Sequence, residues 1–193
     1  MRIFLAGASG LIGVRLVPLL VDAGHIVAGM TRSQAKADGL AAIGAEPVVC
    51  DVYDADALRA AVGAFEAEAV IHQLTDLPDD VASLSEFEAA NARIRRQGTR
   101  NLLAAAHACG ASRIVAQSVA WELGGDAGAA VQEHERAVLD AGGVVLRYGQ
   151  FYGPGTYFED KKPSPPRIHI DEAARRTVPV LDAAPGVILI TEE

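Results

Sequence analysis

The first apolar run of the chain, residues 2–7, leads directly into the glycine-rich turn GASGLIG and then into a helical pattern. Gly7 allows the tight turn, Gly10 lets a pyrophosphate approach the backbone, and Gly13 lets the helix pack closely on the strand. The N–H groups and the positive end of the following helix attract phosphates. This order predicts a dinucleotide site, with a merely structural turn as the alternative. Its predicted residues are Gly7, Ser9, Gly10, Leu11, Ile12 and Gly13.

Short apolar runs alternate with stretches of helical periodicity along the rest of the chain. The runs are rich in Val and Ile and too short for helices, which is typical of strands buried on both faces. They cover residues 2–7, 25–30, 46–51, 68–73, 112–118, 143–149 and 186–191, and the helical stretches cover 11–23, 33–43, 55–64, 84–109, 129–141 and 171–183. Such alternation predicts an α/β fold with a doubly wound, parallel Rossmann-type sheet. Only residues 153–166, where Gly, Pro and Lys cluster, are predicted to form a loop.

Charge and cysteine usage exclude several kinds of partner. The formal net charge is -8 over 193 residues and no dense Lys/Arg block occurs, which argues against nucleic acid or an anionic membrane surface. No apolar run reaches the roughly 18 residues of a membrane span, and no secretory leader is evident. Cys50 and Cys109 lack metal-type spacing and are predicted to be free thiols. We therefore expect a cytoplasmic protein that binds a small molecule or a regulatory protein partner, and no metal.

The end of the second strand predicts which dinucleotide binds. An NAD site usually has Asp or Glu there, to accept hydrogen bonds from the ribose hydroxyls. This chain instead reads Met30-Thr31-Arg32-Ser33. Arg32 can pair with a 2′-phosphate, and Thr31 or Ser33 can add hydroxyl donors. The alternative is a solvated arginine in a turn capped by Ser33. The missing carboxylate favours NADP over NAD.

These motifs, with others in the same order, resemble the extended short-chain dehydrogenase/reductase superfamily, the NAD(P)-dependent epimerase/dehydratase group. The matching segments are GASGLIG, CDVYDADAL, AVIHQLT, GTRNLLAAAHACGASRIVAQS, LRYGQFYGPG and IHIDEAARRTV. The resemblance implies that Asp51 and Val52 meet the adenine ring. It also implies that the ribose and nicotinamide side of the cleft is lined by Gln73, Leu74 and Thr75, with Asn91 near the cofactor. Structural alternatives remain: Asp51 as a turn residue and His72 as a satisfied histidine at a strand end.

The chain departs from this superfamily in its proton-transfer residues. Relatives carry Ser or Thr after the fifth strand, and a Tyr with a Lys four residues later on the next helix. Here Ser118 is followed by Val119, and the next helix, AAVQEHERAVLDAG, has neither Tyr nor Lys. Ser118, through a held water, and Tyr148 are the remaining candidates for an acid. Tyr157 and Lys161 have the right spacing, but they lie in the proline-rich loop far from that helix. We interpret this pair as a coincidence.

The domain organisation and the function follow from the same comparison. We expect a Rossmann domain over residues 1–152 and a remnant of the substrate lobe over 153–193, packed on the same domain and much reduced. Trp121 and Tyr152 are further candidates for the cleft wall. Two function classes remain open: an NAD(P)-dependent oxidoreductase or epimerase-like enzyme acting on a small carbonyl, sugar-nucleotide or quinone-type substrate, and a catalytically silent NADP-binding sensor or regulator. A homodimer through the helices at 84–109 and 129–141 is a further hypothesis.

Overall fold

A computed structural model describes residues 1–78 and 80–192 of the chain. Nine strands are present among these residues: β1 (Arg2–Ala6), β2 (Ile26–Thr31), β3 (Glu46–Val49), β4 (Ala69–His72), β5 (Arg113–Val119), β6 (Val144–Tyr148), β7 (Gln150–Tyr152), β8 (Arg167–His169) and β9 (Gly186–Ile190). The α-helices are α1 (Gly13–Asp22), α2 (Ala37–Ala42), α3 (Ala55–Ala64), α4 (Glu88–Arg93), α5 (Thr99–Cys109), α6 (Gly125–Asp140) and α7 (Ile170–Thr177). Short 3₁₀ helices cover Gln34–Lys36, Val81–Phe87 and Val178–Asp182.

Seven strands form one parallel sheet in the order β3-β2-β1-β4-β5-β6-β9, and β7 pairs with β8 separately. The chain moves outward from β1 through β2 to β3, and then returns to the other side of β1 at β4. The boundary between β1 and β4 is therefore the topological switch point, where open α/β sheets bind ligands at the carboxyl ends of their strands. This architecture confirms the predicted doubly wound Rossmann-type fold.

The sheet is buried on both faces, as the apolar runs predict. Ile3 and Leu5 of β1 pack with α1 and α7 on one face, and Phe4 packs with α3 and α5 on the other. All three side chains are fully buried. Apolar residues on both sides of a strand stabilise it in this position, because each side chain loses its contact with water on folding.

The helices differ from the sequence prediction most at residues 84–109. A single helix was expected there, but the structure has a 3₁₀ turn, then α4, a π-helical turn at Ile94–Gly98, and α5. A π turn adds a residue to the helical path and is frequent at functional sites. Helix α6 also begins at Gly125 rather than at residue 129. Residues 153–166 form neither helix nor strand, as predicted.

Candidate functional site

The glycine-rich turn after β1 leaves no room for side chains at two positions. Gly7 has φ +89°, and a Cβ there would lie 2.6 Å from the carbonyl oxygen of Gln73. A Cβ at Gly13 would lie 2.3 Å from the carbonyl oxygen of Gly7. Gly10 differs, because it is exposed and its closest neighbour would be 3.2 Å away. The turn is therefore packed tightly against β4 below and open to solvent at Gly10.

Several backbone N–H groups of this turn have no hydrogen-bond acceptor in the described part of the chain. Those of Ser9, Leu11 and Ile12 pair with nothing within residues 1–78 and 80–192. They immediately precede α1, whose N-cap residue Ile12 has no side-chain cap. Unpaired N–H groups at the positive end of a helix form a ready site for an anion. The geometry thus fits the pyrophosphate of a dinucleotide, held by the main chain.

The end of β2 presents one cationic side chain beside this turn. Thr31 is buried, and its hydroxyl oxygen accepts hydrogen bonds from Ser9 Oγ at 2.9 Å and from the N–H of Ser33 at 3.2 Å. Thr31 therefore fixes the two turns against each other. Arg32 is half exposed, and its Nη2 donates to Asp76 Oδ1 at 3.1 Å. Because β1 lies between β2 and β4 in the sheet, this ion pair passes over the carboxyl end of β1.

The end of β3 holds Asp51, Val52 and Tyr53. Asp51 is exposed and accepts the N–H of Tyr53 at 2.9 Å, so it stabilises a turn. Val52 is buried, and its carbonyl oxygen accepts Asn101 Nδ2 at 2.8 Å. The Tyr53 hydroxyl has no hydrogen-bond partner in the described part of the chain, although it is buried. Burial raises the pKa of Tyr53, with Asp76 adding to the shift.

The loop after β4 is anchored from several directions. Leu74 donates its N–H to His72 Nδ1 at 3.2 Å, and its carbonyl oxygen accepts Gln117 Nε2 at 3.0 Å. The N–H of Asp76 donates to Asn91 Oδ1 at 3.2 Å, so the predicted cofactor residue Asn91 positions this loop. Thr75 is exposed. These contacts fix the main chain at the switch point.

Gln73 is buried beside the loop and is only partly satisfied. Its Nε2 donates to the Tyr148 hydroxyl at 3.2 Å, while its Oε1 lacks a partner in the described part of the chain. Tyr148 is itself buried, with its hydroxyl 2.6 Å from Thr177 Oγ1. Thr177 already donates to the carbonyl of Ala173, so Tyr148 is the donor to Thr177. Burial raises the pKa of Tyr148 to about 12. These contacts do not suit Tyr148 to donate a proton to a substrate.

Ser118 is held in a second buried contact. Its Oγ donates to Glu135 Oε1 at 2.5 Å, and Glu135 also binds Arg147 through both of its oxygens. Burial pushes the pKa of Glu135 upward, but the hydrogen bonds from Arg147 and Ser118 lower it overall. Ser118 therefore links β5 to α6. Its hydroxyl hydrogen is donated to Glu135 and is not available to a substrate.

Two buried histidines form a hydrogen-bonded chain between β4 and α6. His72 Nδ1 accepts from Leu74, so its Nε2 carries the proton and donates to Thr99 Oγ1 at 3.1 Å. The Thr99 hydroxyl then donates to His134 Nδ1 at 2.7 Å, and His134 Nε2 donates to the carbonyl of Gln117 at 2.9 Å. Burial lowers the pKa of His134 to about 4 and lowers that of His72 well below its usual value. Both rings are neutral, and His72 is a satisfied histidine at a strand end.

The standard Tyr-Lys pair is absent from α6, whose sequence is GDAGAAVQEHERAVLD. Tyr157 lies in the loop after β7, where its hydroxyl donates to the carbonyl of Pro78, and Lys161 is exposed. Lys162 instead lies 4.7 Å from the ring centroid of Tyr152, whose hydroxyl donates to Glu192. Trp121 is 37% exposed, just before α6.

Sequence reasoning missed Tyr53, Arg93 and Arg95. The guanidinium of Arg93 lies 3.8 Å from the ring centroid of Tyr53. Nothing in the residue pattern indicated this contact, because forty positions separate the two residues in the sequence.

Within the described ranges, no three His, Cys, Asp or Glu residues are grouped so as to hold a metal ion. No described helix is both long and apolar enough to cross a bilayer.

Comparison with known proteins shows which family and which structures this chain resembles. Residues 7–143 match the model of a family described as NAD(P)H-binding. A 3-diazoavenalumate denitrifying reductase from a Streptomyces species is 35% identical, over all of this chain and 76% of that protein. The UDP-glucose 4-epimerase of Thermus thermophilus, solved with NAD, has a TM-score of 0.80 at 18% identity, covering 99% of this chain and 78% of the other. That of Thermotoga maritima, solved with UDP-glucose, has a TM-score of 0.81 at 17% identity, covering 99% and 77%.

Proposed function

Because the chain belongs to the NAD(P)H-binding family, within the short-chain dehydrogenase/reductase superfamily that its sequence resembles, we propose that it is a reductase that uses NADPH. The observation that carries this proposal is the set of unpaired N–H groups of Ser9, Leu11 and Ile12 at the start of α1. They suit a pyrophosphate, and the loop after β4 then adjoins the nicotinamide end. The bound dihydronicotinamide supplies a hydride. The preference for NADP rests on Arg32, the cation that follows β2.

The absence of Tyr and Lys from α6 restricts which substrates the protein can reduce. Reduction of a carbonyl leaves an alkoxide, which needs a proton from a nearby acid. Tyr148 and Ser118 are both buried and hydrogen-bonded, so neither supplies one. A hydride acceptor whose reduction needs no proton suits this site better.

An aryl diazonium ion is such an acceptor. Hydride added to the ring carbon replaces the carbon–nitrogen bond by a carbon–hydrogen bond, and the two bonding electrons leave with N₂. The balance is aryl diazonium cation plus NADPH, giving arene, N₂ and NADP⁺, with no proton consumed. The name of the Streptomyces relative, a denitrifying reductase of a diazo compound, supports this substrate class. The chain's task is then to bind, orient and shield the two reactants.

The test uses NADPH that carries deuterium at the hydride position. Two substrates are compared: a cinnamate with a diazonium group on its ring, and a matched cinnamate with an acetyl group there. We expect the diazonium compound to give an arene with one deuterium at the carbon that lost nitrogen. We expect the acetyl compound to remain unreduced. Reduction of the ketone alone would contradict the proposal.

Gly10→Val supplies the control for cofactor dependence. Gly10 is exposed and has only Gly7 nearby, so the variant is expected to fold while its side chain obstructs the pyrophosphate. Gly63→Val, where a Cβ meets nothing within 4 Å, is the matched substitution away from the site. Enzymatic turnover should vanish in the first and persist in the second. Cofactor binding without turnover of either substrate would favour the second candidate, a silent NADP-binding regulator, which the missing acid on α6 also suits.

A further inference from the structure

Arg95 is a partly buried cation that has no partner in the described part of the chain. It lies in the π-helical turn Ile94–Gly98, and within residues 1–78 and 80–192 nothing forms a hydrogen bond or an ion pair with its guanidinium. Its neighbour Arg96 shows the contrast, because it binds Asp126 and Glu133 of α6 together. Burial lowers the pKa of Arg95, and only the charge of Glu135 acts in the opposite direction. Glu135 is already bound to Arg147 and Ser118.

The contacts of its helical neighbours place Arg95 beside the end of β4. Residues four apart lie on the same side of a helix, so Asn91, Arg95 and Thr99 share a side. Asn91 contacts the main chain of Asp76 in the loop after β4, and Thr99 contacts His72 at the end of that strand. Arg95 lies between these two contacts. Its charge adds to the burial that lowers the pKa of His72 and of His134.

Even a partly desolvated cation without a counter-ion is costly in a folded protein. Such a residue is explained most simply by a ligand that brings the opposite charge. The pyrophosphate is not this ligand, because its predicted site precedes α1, which packs on the opposite face of the sheet from α5. The end of β4 adjoins the position expected for the nicotinamide, where the substrate of the proposed reductase would be reduced.

We propose that Arg95 binds a carboxylate of the hydride-accepting substrate and thereby orients it beside the end of β4. This inference rests on the proposed reductase function. Arginine is suited to the task because its planar guanidinium pairs with a carboxylate through two parallel hydrogen bonds. Arg95 lies in the π turn, which contains one residue more than the corresponding turn of a regular α-helix. Arg95 is thus a substrate-binding and specificity-determining residue. Its binding of a carboxylate does not depend on an acidic side chain on α6.

The test measures binding, so that it does not depend on turnover. Protein saturated with NADP⁺ is titrated calorimetrically with cinnamate and with cinnamamide, which has the same shape and no charge. A charge-assisted pair makes the wild type about tenfold to a hundredfold tighter for the carboxylate. Arg95→Gln should abolish this preference, and Arg95→Lys should retain part of it. Arg100→Gln, at an exposed arginine of α5, should leave it intact.

Separate NADP⁺ titrations distinguish the two levels of the proposal. If the wild type does not bind NADP⁺, the proposed function fails and this inference fails with it. If NADP⁺ binds but cinnamate and cinnamamide bind equally, Arg95 does not hold a carboxylate and only the inference is overturned. Loss of NADP⁺ affinity in Arg95→Gln would assign the guanidinium to the cofactor and also overturn it. The unfolding temperature of Arg95→Gln should not be lower than that of the wild type, since the residue has no partner among the described residues to lose.

Discussion

Replacing Asp76 with Asn is expected to strengthen NADPH binding, because Asp76 and the 2′-phosphate compete for the same guanidinium. Arg32 donates to Asp76 at 3.1 Å, and the two side chains are 50% and 22% exposed. An ion pair of this exposure contributes about 0.2–1 kcal/mol. A charge-assisted pair with the phosphate contributes about 1.5–3 kcal/mol. The difference, about 0.5–2.8 kcal/mol, corresponds to about a twofold to hundredfold preference for NADPH over NADH.

The assay is a fluorescence titration of both cofactors against four proteins: wild type, Asp76→Asn, Arg32→Ala and the double variant. Asp76→Asn removes the competing charge and should raise NADPH affinity by about 1.4-fold to fivefold, with NADH affinity unchanged. The loop should keep its position, because Asn91 contacts the backbone N–H of Asp76. Arg32→Ala should erase most of the NADPH preference, and added salt should weaken NADPH binding more than NADH binding.

The double variant decides whether competition is the cause. If Asp76 acts only through Arg32, Asp76→Asn has no effect once Arg32 is replaced. An equal gain in the Arg32→Ala background would refute the reasoning, since Asp76 would then repel the phosphate directly. Equal affinities of the wild type for NADPH and NADH would refute the role of Arg32 itself.

Four further outcomes are expected. Thr99→Val should lower the free energy of unfolding by about 2–4 kcal/mol in urea titrations, because it leaves two buried ring nitrogens without partners, whereas Thr99→Ser should lose much less. Below pH 6.5 the histidine of the unfolded chain binds a proton that folded His134, with its pKa of about 4, does not bind. The free energy of unfolding should therefore decrease as the pH decreases, by up to about 1.4 kcal/mol per pH unit from this group. His134→Asn should reduce that slope in urea titrations at pH 5 and pH 7. Tyr157→Phe and Lys161→Met should leave turnover unchanged, and a large loss of the maximal rate in either would make that pair functional. Light scattering at about tens of micromolar should report a dimer if α6 forms an interface through the exposed Leu139, and Leu139→Glu should then give a monomer.

The sheet and the glycine-rich turn were predictable because both depend on local pattern. An apolar run that is buried on both faces looks the same in any parallel sheet, and the run preceding Gly7 is β1. The three glycines require a particular backbone path, so their spacing alone indicates the turn. Strand ends and most helices therefore lie close to their predicted positions, with α6 longer at its start than its sequence indicated.

The predicted side-chain roles depended on contacts between residues far apart in sequence, which pattern does not encode. Arg32 reaches Asp76, and Tyr148 contacts Thr177, and both pairs are distant along the chain. The division of residues 84–109 was equally invisible, because α and π turns differ by one residue in their hydrogen bonds and share nearly the same apolar spacing. Arg95 consequently looked like any charged residue on the outside of a long helix.

The unpaired N–H groups that precede α1 carry a consequence for how this molecule tolerates change. They belong to the main chain, so every amino acid except proline supplies one, and their directions are fixed by the glycines rather than by any reactive side chain. The main-chain groups that suit the pyrophosphate are thus separate from the side chains that would contact the substrate. Substitutions of side chains on α6 leave these main-chain donors in place. In the proposed reductase, the hydride donor would therefore keep its place when side chains near the substrate change.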